Sequence, residues 1–143
     1  MNCIRASLLA LIALIFTVPA ASQAKAPDGP KSSAAFAEVL LRKTELLAEA
    51  ESLSADYTET SPKMVDLRHE VAVLQKDISR ILAVPSPDAG KLTLALGKLM
   101  VRRASLDTEL SRMSRTLNAD HPDYKRTRKK LEVFDAAIKE ILP

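Results

Sequence analysis

Shifted by 60 positions, the 143-residue sequence falls on itself. PDGPK at 27–31 lands on PDAGK at 87–91, Arg42 on Arg102, Leu46 on Leu106, Glu49 on Glu109, Pro62 on Pro122, Ile78 on Ile138, and Ile81-Leu82 on Ile141-Leu142. Without a gap, 14 of the 57 pairs from Pro27/Pro87 to Ala83/Pro143 are identical. A shared heptad pattern raises such a count, but it does not align prolines and PD..K turns. The chain therefore reads as one structural unit copied once, and each copy must adopt the same fold. The expected division is residues 25–84 and 85–143, after a leader at 1–24.

Within a copy the apolar residues recur at alternating steps of three and four. Met64, Leu67, Val71, Leu74, Ile78 and Ile81 form one stripe, answered by Tyr124, Thr127, Leu131, Phe134, Ile138 and Ile141. The arm before each reads Phe36, Val39, Lys43, Leu46, Ala50, Leu53 and Leu96, Leu99, Arg103, Leu106, Leu110, Met113. Such a stripe belongs to a helix that buries one narrow face, and no alternating strand pattern occurs. The class is all-α. Helices are expected near 32–54, 62–83, 88–115 and 122–142, each on the order of 30 Å long at 1.5 Å per residue. Short connections make them two tandem antiparallel hairpins. One hairpin buries a single seam and is marginal alone, so two close a four-helix bundle or extend as an elongated coiled coil covered by another copy.

Start signals punctuate the stripes. Ser61-Pro62 places a capping serine before a proline whose missing N–H had no partner anyway, and His121-Pro122 occupies the same point in the second copy. Ser86-Pro87 reads as the same device for the third helix. Lys43 and Arg103 share a position in the middle of their stripes. Each either snorkels at a seam edge or forms a register-setting polar pair with a neighbouring helix.

Residues 1–24 carry one positive charge at Arg5, an apolar run to about Val18, then Pro19 and small residues ending at Ala24. That is the order of a secretory signal peptide, with a secreted or periplasmic chain expected to begin at Lys25. An uncleaved segment serving as a membrane anchor is the alternative. Cys3, the single cysteine, precedes the apolar run, so the exported chain forms no disulfide and is held by packing alone. It carries 20 Lys and Arg against 18 Asp and Glu. So small an excess, in an exported chain, argues against a nucleic-acid partner. The charge is uneven, about −3 over 25–88 and +5 over 89–143. Opposite signs suit packing of the halves, or docking of the second half on an acidic partner.

NADHPDYKRTRKKLEVF, residues 118–134, concentrates the candidate chemistry. His121 between Asp120 and Asp123 suggests a metal, but its repeat partners are Ser61, Thr60 and Lys63, and one histidine with two nearby carboxylates is too small a ligand set. The carboxylates suit a helix amino end, where negative charge meets the dipole. Lys125, Arg126, Arg128, Lys129 and Lys130 surround the stripe and form either a solvated face or a contact with an anionic envelope surface such as phospholipid or lipopolysaccharide. His69, mid-helix and off the stripe, reads as an exposed neutral side chain. No cofactor motif, phosphate loop, nucleophile elbow or metalloprotease signature occurs, so the expectation is a non-enzyme acting through its surfaces. Partners would be protein, by docking or self-association through helical faces. A small periplasmic chaperone, with exposed apolar residues on a concave face, is the rival reading.

LSADYTETSPKMVDLRHEVAVLQKDI (53–78) and MSRTLNADHPDYKRTRKKLEVFDAAI (113–138) resemble the coiled-coil region of bacterial polysaccharide chain-length determinant and export proteins. There a helix ends in a segment like Y-T-x-x-[HS]-P, and the next opens with an aliphatic residue two after the proline and carries a heptad stripe. Tyr57, Thr58, Ser61, Pro62, Met64 and Leu67 carry the match in the first copy; His121, Pro122 and Tyr124 carry it in the second, where Leu117 and Asn118 replace the tyrosine and threonine. The resemblance spans about 26 residues per repeat. It implies a role in polymer export and assigns no catalytic residue.

Overall fold

The computed structural model describes residues 29–143; the expected signal segment lies outside the described residues. Four helices carry the chain: α1 (Ala34–Leu53), α2 (Pro62–Leu82), α3 (Leu94–Ser114) and α4 (Pro122–Ile141). Short 3-10 turns at Pro30–Ser32 and Ser86–Lys91 precede α1 and α3, and no strand occurs among the described residues. The fold is all-α, built as two tandem antiparallel hairpins.

Every helix starts on a side chain that accepts a backbone N–H left without an intrahelical partner. Ser33 Oγ accepts from Phe36 at 3.2 Å and Ser61 Oγ from Met64 at 3.4 Å. Their partners sixty residues on do the same: Thr93 Oγ1 accepts from Leu96 at 3.3 Å and His121 Nδ1 from Asp123 at 3.2 Å. The hairpin corners repeat their hydrogen bonds too. Tyr57 N donates to Leu53 O and Ser61 N to Thr58 O; Leu117 N donates to Met113 O and His121 N to Asn118 O.

One expected start is corrected. Ser86-Pro87 opens a 3-10 turn rather than α3. Its bonds run from Asp88 N to Pro85 O and from Leu92 N to Ala89 O, which closes short turns instead of α-helical ones. Leu92 then leaves the helical region and Thr93 is extended, so its hydroxyl resets the start at Leu94.

Helices α1, α2 and α3 pack on one another, whereas α4 packs on α3 and has little contact with the first hairpin. The molecule is therefore a three-helix core with a fourth helix along one flank. Val39 and Leu46 of α1, Leu74 and Ile81 of α2, and Leu96 and Met100 of α3 are sealed from water, each fully buried side chain contributing roughly 1.5–3 kcal/mol. In α4 only Thr127 and Ile138 are buried, while Tyr124, Leu131, Phe134 and Ile141 are half-covered.

The third helix is central and needs more than its apolar stripe. A second row, Gly97, Met100, Ala104 and Thr108, is buried beside it. Gly97 sits against α1 so closely that a methyl group there would lie 2.8 Å from Glu38 Cβ and 3.0 Å from Ala35 Cα. The absent side chain lets the two backbones approach, and Ala35 N donates to Leu92 O at the same end.

Candidate functional site

Polar pairs fix α2 against α3. Asp77 of α2 is 1% exposed and takes Arg103 Nη2 at 2.7 Å. One turn and more away, His69 Nε2 lies 2.8 Å from Asp107 Oδ2, and Arg115 pairs with Asp66 near the corner. Between α1 and α2, Arg42 meets the buried Glu70 at 3.0 Å. Three carboxylates of α2 thus point at arginines of its neighbours, and at Glu70 and Asp77, which are buried, removing the partner strands a charge in the interior. His69 is corrected from a free surface histidine to a half-buried bridge between helices.

Arg103 and Lys43 part ways despite their shared repeat position. Lys43 Nζ reaches Gln75 at 2.6 Å on the exposed edge of its hairpin, the snorkelling arrangement. The repeat partner of Gln75 is Asp135, and Arg103 Nε lies 3.8 Å from it. Arg103 also turns to Asp77, with its side chain only 15% exposed. It therefore joins α2, α3 and α4 and sets their register. Arg103 Nε and Asp77 Oδ1 are nevertheless buried without a hydrogen-bond partner. Burial raises the Asp77 carboxyl above its ordinary range, and the hydrogen bond and charge of Arg103 only partly offset that.

The basic residues of α4 are largely committed locally. Lys125 pairs with Asp120 at 2.9 Å and Arg126 with Asp123 at 3.1 Å, while Arg128 and Lys129 share Glu132 at 3.2 and 3.0 Å. Hydrogen bonds from Lys129 and then Arg128 hold the Glu132 carboxyl below its usual range. Lys130 has no ion pair among the described residues. The patch is real but half-neutralised. His121 and Ser61 are helix caps, Pro122 and Pro62 follow them in the first turn, and no set of three metal-ligating side chains is grouped among the described residues.

What sequence reading missed are faces without a partner. Leu40, Leu41 and Leu47 of α1 are 40%, 58% and 48% exposed. On α4, Val133 is 67% exposed, whereas its counterpart Val73 is 7% exposed. The signal was present: Leu40 and Leu41 lie beside the α1 stripe, and a helix with too many leucines for one seam has a second face. Between α1 and α2 runs an open groove lined by Leu47, Ala50, Met64, Leu67 and Val71, with Lys43 and Arg68 at its rim.

These features define an all-α repeat protein of two helical hairpins with uncovered faces at both ends of the array. No protein-family model, curated protein or solved structure matches the chain. No helix among the described residues is long and apolar enough to cross a membrane.

Proposed function

We propose that the protein is an exported, non-catalytic helical module that works by binding protein through its helix faces, within or beside polymer-export machinery of the cell envelope. The observation that carries this reading is the row of exposed leucines on α1 together with Val133 on α4. Large apolar side chains grouped on an otherwise charged surface mark contact sites, because their exposure costs free energy that a partner recovers. The order of residues 1–24 supports export, and the two proline corners support the link to chain-length determinants.

The test is a photo-activated cross-linking residue placed at Leu41 or at Val133 in the producing cell, with exposed Lys76 as control. Protein adducts at the two apolar positions and none at Lys76 are expected. Absence of protein adducts at both positions sinks the interaction reading. A second reading, a holdase for unfolded chains, draws on the open groove between α1 and α2. It requires that Leu47→Lys, at an exposed position of the groove, abolish suppression of a client's aggregation, and a wild-type protein that suppresses nothing removes it.

A further inference from the structure

We propose that copies of this chain associate head to tail, the outward face of α1 in one copy seating on the outer face of the second hairpin in another, as α3 seats on the first hairpin. This rests on the interaction reading above and names the partner as a second copy.

The internal contact supplies the template. Helix α3 lies in a seat made by α1 and α2. On α2 the seat runs through Asp66, Glu70, Val73 and Asp77, all of them buried or half-buried. Sixty residues on, the same positions are Arg126, Lys130, Val133 and Ala137, of which the first three are exposed. The second hairpin therefore carries the same seat with no other described residue in it.

The face that fills the seat is also present twice. Helix α3 uses Gly97, Met100, Ala104 and Thr108, all buried. Their counterparts on α1 are Ala37, Leu40, Thr44 and Ala48, all exposed. Small residues recur at the same spacing, but Ala37 brings a methyl group where α3 has Gly97, so α1 would seat slightly farther out than α3 does, and Leu41 adds apolar area where α3 has Val101. A repeat array buries each unit on its neighbour and leaves the terminal faces open unless they are capped. Here one end is a row of leucines, and the other is a cationic face that holds one exposed valine.

Charge decides which partner fits. In the first hairpin Arg42 and Glu70 neutralise one another in a shallow groove that Ser105 of α3 overlies. The counterparts are Arg102 and Lys130, two cations side by side, and the counterpart of Ser105 is Glu45. Glu45, which in its own chain lies 3.5 Å from Arg42, is thus the carboxylate that the entering helix would bring to the second seat. A self-complementary dimer would instead press leucines on leucines and cations on cations. An anionic polymer would satisfy the cations but leave the α1 leucines in water. The contact is heterologous, so it propagates into a filament or closes as a ring.

The test uses the full-length chain in sedimentation equilibrium, as wild type, Leu41→Glu and Val133→Lys, with circular dichroism to follow folding. Both sites are exposed, so helix content should be retained. Wild type is expected to grow with concentration beyond a dimer or to a closed ring. Each variant should lose association by about tenfold or more, the cost of burying one unpaired charge. Mixed in equal amounts, they should form a 1:1 dimer and nothing larger, because each retains one good face. Should either variant unfold, Glu45→Lys and Lys130→Glu give the same answer: each alone weakens assembly and the double variant restores it. A wild type that remains monomeric overturns the proposal, and does so in favour of an anionic surface if it then sediments with phosphatidylglycerol vesicles. Wild type that assembles while the variants assemble equally well overturns this seat and leaves the interaction reading standing.

Discussion

Replacing Arg103 with methionine tests the junction of α2, α3 and α4. The change keeps the length of the stem and removes the guanidinium that sits 2.7 Å from Asp77, a carboxylate 1% exposed. Breaking one partner of a buried pair costs about 3–5 kcal/mol, and here only the half-exposed Arg80, 3.9 Å from Asp77 Oδ1, still faces the carboxylate, so the lower end of that span applies. Set against a total stability of about 5–15 kcal/mol, that is a large fraction. For a domain of this size it corresponds to a fall in Tm of roughly 10–20 °C. The sign with pH follows from the carboxyl. Burial already raises the folded pKa of Asp77 above its ordinary value, so in the acid range the folded state holds the proton more firmly than the unfolded chain. Stability from this group is then present below that range and is lost as pH rises through the folded value. Without Arg103 the shift grows. The cost of Arg103→Met should therefore be near its full size at neutral pH and shrink toward pH 4. The double variant Arg103→Met with Asp77→Leu should recover most of the loss at every pH. Urea unfolding at both pH values is the assay. A loss below about 1 kcal/mol at neutral pH, or one that acid leaves unchanged, refutes the buried-pair account.

Other expectations follow from the helix starts, the close approach and the surface. Thr93→Ala should cost about 1 kcal/mol and Ser86→Ala less than about 0.5 kcal/mol, since only the threonine caps a helix; equal losses by urea unfolding would return the start of α3 to Pro87. Gly97→Ala should lower the unfolding midpoint even though alanine favours a helix by about 1 kcal/mol, because overpacking costs about 1–3 kcal/mol; a raised midpoint would show that α1 and α3 give way freely. Leu46→Ala should cost about 2–5 kcal/mol, whereas Leu41→Ala should stay within about 0.5 kcal/mol in the monomer; similar losses would contradict the division into core and open face. Changing Lys125 and Lys129 to glutamine should move stability by less than about 0.5 kcal/mol, because exposed pairs contribute little; a loss of several degrees in Tm would give those pairs a structural weight that their exposure argues against.

The hairpins were legible because their stripes and proline corners are local signals. A period of three and four residues demands a helix whatever surrounds it, and a capping side chain before proline marks the start without reference to tertiary contacts. The start of α3 was misread for the same reason. Ser86-Pro87 has the composition of a cap, and only the chain path through the linker shows that Thr93 does the capping. The buried row on α3 was invisible because glycine, alanine and threonine carry little hydrophobic signal; what makes them interior is the neighbouring helix. His69 and Asp77 lie off their stripe, so their pairing with Asp107 and Arg103 depends on how the second hairpin is laid on the first. The unfilled seat is legible only by setting Val73 beside Val133, which requires the repeat and the burial together.

The contact that joins the hairpins inside the chain is the one by which we propose that copies meet. Its most direct measurement is a disulfide cross-link in a Cys3→Ser background. Glu38 and Gly97 touch inside the chain, and their equivalents between copies are Lys98 and Ala37. Mixing Lys98→Cys protein with Ala37→Cys protein under mild oxidation should give a covalent heterodimer, well above the amount formed when Ala37→Cys is mixed with Lys76→Cys. Equal yields in the two mixtures would contradict it.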